Sequence, residues 1–156
     1  WLLSKRNGSL IFFLILVGCN KKRVFEEHKS FEKQPWNSDS GIVFKHTIKD
    51  TITKNQIEIK LRHTVDYEFQ NIFLFIKAEK QDTVEIKLAN KEGRWLGRGV
   101  GNIRSIDFLY KKHKRFFKKG VLSIEVQQAM RYGKLEKIQN LKHIESIGIC
   151  IEKEND

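Results

Sequence analysis

Apolar residues recur at every second position through most of this chain, and that rhythm admits one kind of element. A period of two puts successive side chains on opposite faces of an extended strand, whereas a helix needs a period near 3.6. In "QIEIKLRH", Ile57, Ile59 and Leu61 share one face while Glu58, Lys60 and Arg62 take the other. The same alternation groups Ile42, Phe44, His46 and Ile48, then Val84, Ile86 and Leu88, then Leu122, Ile124 and Val126. Residues 71–78, "NIFLFIKA", are apolar on both faces and read as a central strand; "IRSIDFLY" and "SIGICIEK" read as further strands. No interval resembles the crossover helix of about a dozen residues that parallel pairing requires. The expected fold is therefore all-β, an antiparallel β-sandwich of about seven strands, jelly-roll-like or immunoglobulin-like. The one helical candidate is "KLEKIQNLKHI", residues 134–144, where Leu135, Ile138 and Leu141 are three apart; a turn or two at the sandwich edge is expected there.

The beginning of the chain obeys a different rule. Every residue from Leu10 to Val17 is apolar, a run of eight, far below the roughly 20 that cross a bilayer as a helix. Lys5 and Arg6 precede it and Gly18 follows, the order of a secretory signal peptide. Its ending, "LVGC" at Leu16–Cys19, resembles the lipobox of bacterial lipoproteins. That resemblance implies a signal peptide over 1–18, cleavage after Gly18 and acyl chains on the Cys19 sulfur. Stable anchoring takes two lipid signals where one chain is marginal, so a multiply acylated cysteine would hold the protein to a membrane. Residues 19–35 are charged, show little periodicity and contain Pro35, the only proline; they read as a lipidated tether into a single domain over 36–156.

Export changes the meaning of the charge. The whole chain has Lys+Arg 30 against Asp+Glu 19, and losing Lys5 and Arg6 leaves 28 against 19, a surplus of 9. A surplus of this size ordinarily suggests nucleic acid, but an exported lipoprotein meets little of it. Lipid headgroups, acidic wall polymers or the acidic face of another protein are the anionic partners left. Of the two cysteines, a lipidated Cys19 cannot form a disulfide, so Cys150 has no intramolecular partner and reads as a small strand residue.

Candidate sites are few. "GRWLGRGVG", residues 93–101, lacks the Gly-Lys-Ser/Thr ending of a phosphate loop and the context of a dinucleotide fingerprint. Its glycines read as a bulge or wide turn, with Trp95 inserted in the core or covering a sheet edge. "YKKHKRFFKK", residues 110–119, is the main source of positive charge. It reads as a solvated hairpin whose lysines discourage edge-to-edge pairing, with contact to a membrane or partner as the functional reading. Trp95, Arg98, Arg131, Tyr132, Lys111, Lys112 and Arg115 are the candidate partner or ligand contacts. The five histidines lack metal-ligand spacing and no nucleophile elbow is present, so no catalytic residue, metal or cofactor is assigned.

The order of these pieces resembles the gliding-motility lipoprotein GldH family. The likeness runs through "CNKKRVFEEHKS", Trp36, "LRHTVDYEFQNIFLFI", "LANKEGRWLGRG", "KKGVLSIEVQQAMR" and "IESIGICIEK", from Cys19 to Glu152. It implies a part in gliding motility and the linked type IX secretion pathway, alongside other gliding lipoproteins and secretion-machinery proteins, and no enzymatic activity. In that bacterial group, surface export goes with acidic residues just after the lipidated cysteine. Positions 20–23 are Asn, Lys, Lys and Arg, which points to the periplasmic face of the outer membrane. The expected function is a non-catalytic scaffold. A glycan-binding module using Trp36, Trp95 and Tyr132 is the alternative, and a hydrolase would require polar residues converging in a cleft.

Overall fold

A computed structural model of the chain describes residues 22–155. The segment expected to be a signal peptide with its lipobox, and Cys19, lie outside these described residues. The strands are β1 (Arg23–Ser30), β2 (Trp36–Asn37), β3 (Ile42–Ile48), β4 (Asn55–Thr64) and β5 (Asn71–Lys77), followed by β6 (Gln81–Lys87), β7 (Ile103–Lys114), β8 (Gly120–Gln128), β9 (Asn140–Leu141) and β10 (Ile144–Lys153). Two four-stranded sheets, ordered β1-β10-β4-β7 and β3-β8-β5-β6, form the sandwich, and β2-β9 is a short ribbon at one end.

The pairing is nested. β1 pairs with β10, β3 with β8, β4 with β7 and β5 with β6, all antiparallel. Of these only β5-β6 is a hairpin between consecutive strands. A long hairpin folded over on itself in this way is the jelly roll, which decides between the two sandwich types expected. Alternation does the rest. Ile57, Ile59 and Leu61 of β4 lie beside Ile151, Ile149 and Ile147 of β10, and all six point into one core with Phe44, Ile72, Leu74, Ile76 and Val126 from the other sheet. Ile59, Leu61, Ile147 and Ile149 are fully buried, and burying such a side chain contributes about 1.5–3 kcal/mol.

Three expectations need correction. Residues 23–30 are an edge strand and not part of a tether, so the fold begins at Arg23 and not at Trp36. Their charge hides this, because β1 covers polar neighbours with one face: Glu26 and His28 lie over Cys150 and Gly148 of β10. Its apolar anchor is Phe25, whose ring sits 5.0 Å from that of His46 in β3 and closes the two sheets on that side. Residues 134–144 contain no helix. The spacing of three misled because Leu135 faces solvent at 60% exposure while Leu141 is pulled into the β2-β9 ribbon beside Trp36. The 110–119 run is likewise no hairpin: β7 belongs to one sheet and β8 to the other, so 115–119 crosses between them. Phe116 turns into the core there, at 4% exposure. β5, by contrast, is interior to its sheet as its apolar sequence requires.

Cys150 lies on the outer face of its sheet, yet is wholly buried under side chains that include Glu26 and Glu152. Burial, reinforced by Glu152 and Glu26, pushes its thiol up to about 11. A protonated, covered thiol is a packing residue and not a nucleophile.

Ile59→Ala is expected to cost about 2–5 kcal/mol, as large-to-small substitutions in closed cores do, whereas Val43→Ala, at a position 43% exposed, should stay within about 0.5 kcal/mol; urea unfolding of both variants checks the pair. A second expectation concerns pH. His63 is fully buried; its Nδ1 lies 2.9 Å from the Thr64 carbonyl, and its Nε2 has no hydrogen-bond partner. Burial, and secondarily the Arg104 charge, lower its pKa despite the opposing Thr64 bond. The unfolded chain therefore takes up a proton near pH 6.5 that the folded chain refuses. Stability should be full above that pH and fall as the pH drops from about 6.5 toward the lowered folded-state value. His63→Gln should flatten the slope of unfolding free energy against pH, leaving the part due to His46, also lowered by burial and by Lys49.

Candidate functional site

Strand register divides the sequence-derived contact residues between the two ends of the sandwich. At one end, the Lys153 amide donates to the Lys22 carbonyl, Lys153 pairs with Asn55, and Asn55 with Lys114. In the facing sheet Ile48 pairs with Gly120. The chain therefore enters the fold at the end carrying the 49–54 loop, the 78–80 turn and the 115–119 crossover. Ten-residue strands rising about 3.3 Å per residue separate this entry end from the opposite one by roughly 30 Å.

The entry end is basic and studded with apolar side chains. Phe117 is 81% exposed, Ile52 80% and Val121 68%. Asp50, Glu79 and Glu154 at this end are already engaged. Asp50 accepts hydrogen bonds from the Ile52 and Thr53 amides and the Thr53 hydroxyl, which hold its carboxyl well below the usual range. Glu79 pairs with Lys114 at 2.7 Å, and Glu154 accepts from the His113 backbone amide at 2.7 Å and lies 2.6 Å from His113 Nδ1. Lys49, Lys54, Lys112, Arg115, Lys118 and Lys119 have no carboxylate within ion-pair distance among the described residues. Of the candidates in this run, Lys112 and Arg115 are exposed, while Lys111 is held at 2.9 Å by Asp82.

Beside them, on the open β6-β7 flank, lies a cavity of about 310 Å³ floored by Ile57, Phe116, Leu122 and Ile124. On its polar rim the Tyr110 hydroxyl donates to Asp82, whose carboxyl the Tyr110 and Lys111 bonds hold below its ordinary range. Burial, then that same bond, keeps Tyr110 protonated. A low carboxylate paired with a protonated phenol is the reverse of the tuning that makes a base or nucleophile.

The opposite end is built around rings. Trp95 packs on His63 at 4.6 Å, His63 lies 5.7 Å from Tyr67, Tyr67 is 5.6 Å from Phe69, and Phe69 is 5.8 Å from Tyr132. This series runs from the buried His63 out to Tyr132, which is 67% exposed. Around it stand Leu96 at 52% exposure, Val100 at 95% and Leu135 at 60%. The glycines of "GRWLGRGVG" let this loop lie directly on β7. A Cβ on Gly97 would come 2.9 Å from the Ser105 carbonyl oxygen and one on Gly99 would overlap that of Ile103, whereas Gly93 and Gly101 adopt positive φ at turns. Arg98, held in antiparallel pairing with Ser105, carries an exposed guanidinium 3.6 Å from Asp107.

The seven candidates are thus not one site. Trp95, Arg98, Arg131 and Tyr132 belong to the ring-built end, and Lys112 and Arg115 to the entry end, with Lys111 on the flank. The glycan reading loses a member, because Trp36 is 1% exposed and donates its indole N–H to the Ser40 carbonyl. Sequence inspection missed Ile52, whose exposure follows from its place at the tip of the Asp50-capped turn; the Asp-Thr-Ile-Thr stretch was the available turn signal.

The GldH lipoprotein family profile matches residues 23–151. The gliding motility lipoprotein GldH of Flavobacterium johnsoniae is 33% identical over 159 aligned positions, covering 97% of this chain and 98% of that protein. A gliding motility lipoprotein GldH homolog of Christiangramia forsetii is 32% identical over 154, covering 94% of each. No solved structure matches the chain. With the family profile spanning β1 to β10 and relatives this similar along nearly their whole length, the chain belongs to the GldH lipoprotein family.

Proposed function

We propose that this protein is a non-catalytic scaffold of the cell envelope, anchored by lipid on Cys19 to the periplasmic face of the outer membrane. It serves gliding motility and the linked type IX secretion pathway by presenting the ring-built end to other gliding lipoproteins or secretion-machinery proteins. The relatives named for gliding motility support the process. The observation that carries the scaffold reading is the position of exposed Leu96, Val100, Tyr132 and Leu135 at the end remote from the chain's entry at Lys22. Apolar side chains gathered on a rigid surface are what a protein partner buries. Positions 20–23, Asn-Lys-Lys-Arg, lack the acidic residues associated with surface export, which supports the periplasmic face.

The test replaces that surface in the native bacterium. Val100→Glu combined with Tyr132→Ala should leave protein level unchanged while weakening partner binding about tenfold or more, since truncated interface anchors typically cost more than about 1 kcal/mol each. The expected readout is severalfold reduced colony spreading and protein secretion, and loss of crosslinks from position 132 to a motility or secretion component. Normal spreading and secretion with the doubly substituted protein at normal abundance would overturn the scaffold reading.

A further inference from the structure

The entry end carries a second surface, independent of the partner surface proposed above. We infer that this end lies against an anionic phospholipid surface, with Phe117 and Ile52 dipping into the headgroup region and the surrounding lysines on lipid phosphates. The inference rests on the Cys19 anchor reading, and three observations converge on it.

The first is reach. Cys19 precedes Lys22 by three residues, and three residues span at most about 11 Å. Acyl chains on Cys19 therefore cannot lie far from the place where Lys22 meets Lys153. The second is chemistry. Six basic side chains, Lys49, Lys54, Lys112, Arg115, Lys118 and Lys119, lack an ion-pair partner among the described residues, and Asp50, Glu79 and Glu154 at this end are already engaged by hydrogen bonds or cations. Basic residues close to an anionic leaflet are attracted to it individually and additively, within a distance comparable to the roughly 8 Å screening length.

The third is the placement of the apolar residues. Phe117 sits between Arg115 and Lys118, and Ile52 between Lys49 and Lys54, each about 80% exposed on a different loop. Phe116 is taken into the core, whereas Phe117 stays 81% exposed with the Lys114 ammonium 5.9 Å from its ring centroid. Apolar tips ringed by cations are the composition of surfaces that rest in a membrane interface. A soluble partner with an acidic face would satisfy the lysines but would have to occupy the narrow space next to the anchor.

Depth-dependent quenching in the intact lipoprotein decides the matter. Protein purified from membranes is reconstituted into phosphatidylethanolamine vesicles containing phosphatidylglycerol and brominated acyl chains. Single fluorophores are placed through Ile52→Cys, Phe117→Cys, Leu96→Cys and Leu135→Cys; buried Cys150 stays unlabelled. Quenching should be several times stronger at 52 and 117 than at 96 and 135. At 117 it should drop on adding Lys118→Gln and Lys119→Gln, on raising salt, or on omitting phosphatidylglycerol. Equal quenching at all four positions, or stronger quenching at 96 and 135, overturns the inference. Intact mass of the same preparation reads acylation separately. Without acyl chains the anchor reading fails; with Cys19→Ser then added so that only the introduced cysteine takes label, vesicle-bound protein quenched at 52 and 117 would still uphold the basic end as the lipid-facing one, and protein that binds no vesicle would overturn both.

Discussion

Pairing of β4 with β10 fixes everything else in this molecule. Ile57, Ile59 and Leu61 meet Ile151, Ile149 and Ile147 across the middle of one sheet, although more than half of the chain lies between them. Side chains alternate with a period of two, so a slip of one residue in either strand would turn all three of its core residues outward. Register is therefore fixed by burial. Once it is set, β1 must lie on the free edge of β10 and β7 on the free edge of β4. The facing sheet closes on the same apolar layer. Most of these pairings are non-local, so their loop-closure entropy is offset only when the whole roll closes.

That register also gives the molecule a polarity. Because β10 ends where β1 begins, the amino-terminal approach and the last strand emerge together, and the 49–54 and 115–119 loops are gathered at the same end. Loops rather than strands carry what is distinctive at each pole: lysines with Phe117 and Ile52 at one, the glycine loop and the ring series at the other. At the poles the shifts follow local packing and hydrogen bonding: burial lowers the pKa of His63, and the Thr53 and Ile52 bonds lower that of Asp50. The groups with large upward shifts, Cys150, Tyr67 and Tyr110, are kept protonated by burial, with hydrogen bonding to Asp82 adding to it at Tyr110, and Asp82 is stabilised in its charged form by that same contact. These shifts belong to packing.

Much of the fold was legible in the alternation. The strands that carry Phe44, Ile59, Ile86 and Ile124 are where the period of two puts them, because a half-buried strand must alternate. β1 was not legible: an edge strand laid over Cys150 and Gly148 needs polar cover more than apolar contact, so its sequence reads as a tether. The spacing of Leu135, Ile138 and Leu141 suggested a false helix, since an irregular segment can send one leucine to solvent and another into the core without any period. The basic run showed its charge but not its geometry, because a crossover between sheets and a hairpin within one have the same composition.

By itself, then, the sequence determined the extended character and apolar face of most of the long strands and the family, all properties of local spacing or short motifs. Tertiary structure alone decided that the eight long strands nest as a jelly roll, that Trp36 and Phe116 are interior, and that Trp95 and Arg115 lie at opposite poles. The reason is physical: spacing along a chain fixes which side a residue faces, whereas which residues become neighbours depends on strands paired across long separations, and only closure of the common core selects that pairing.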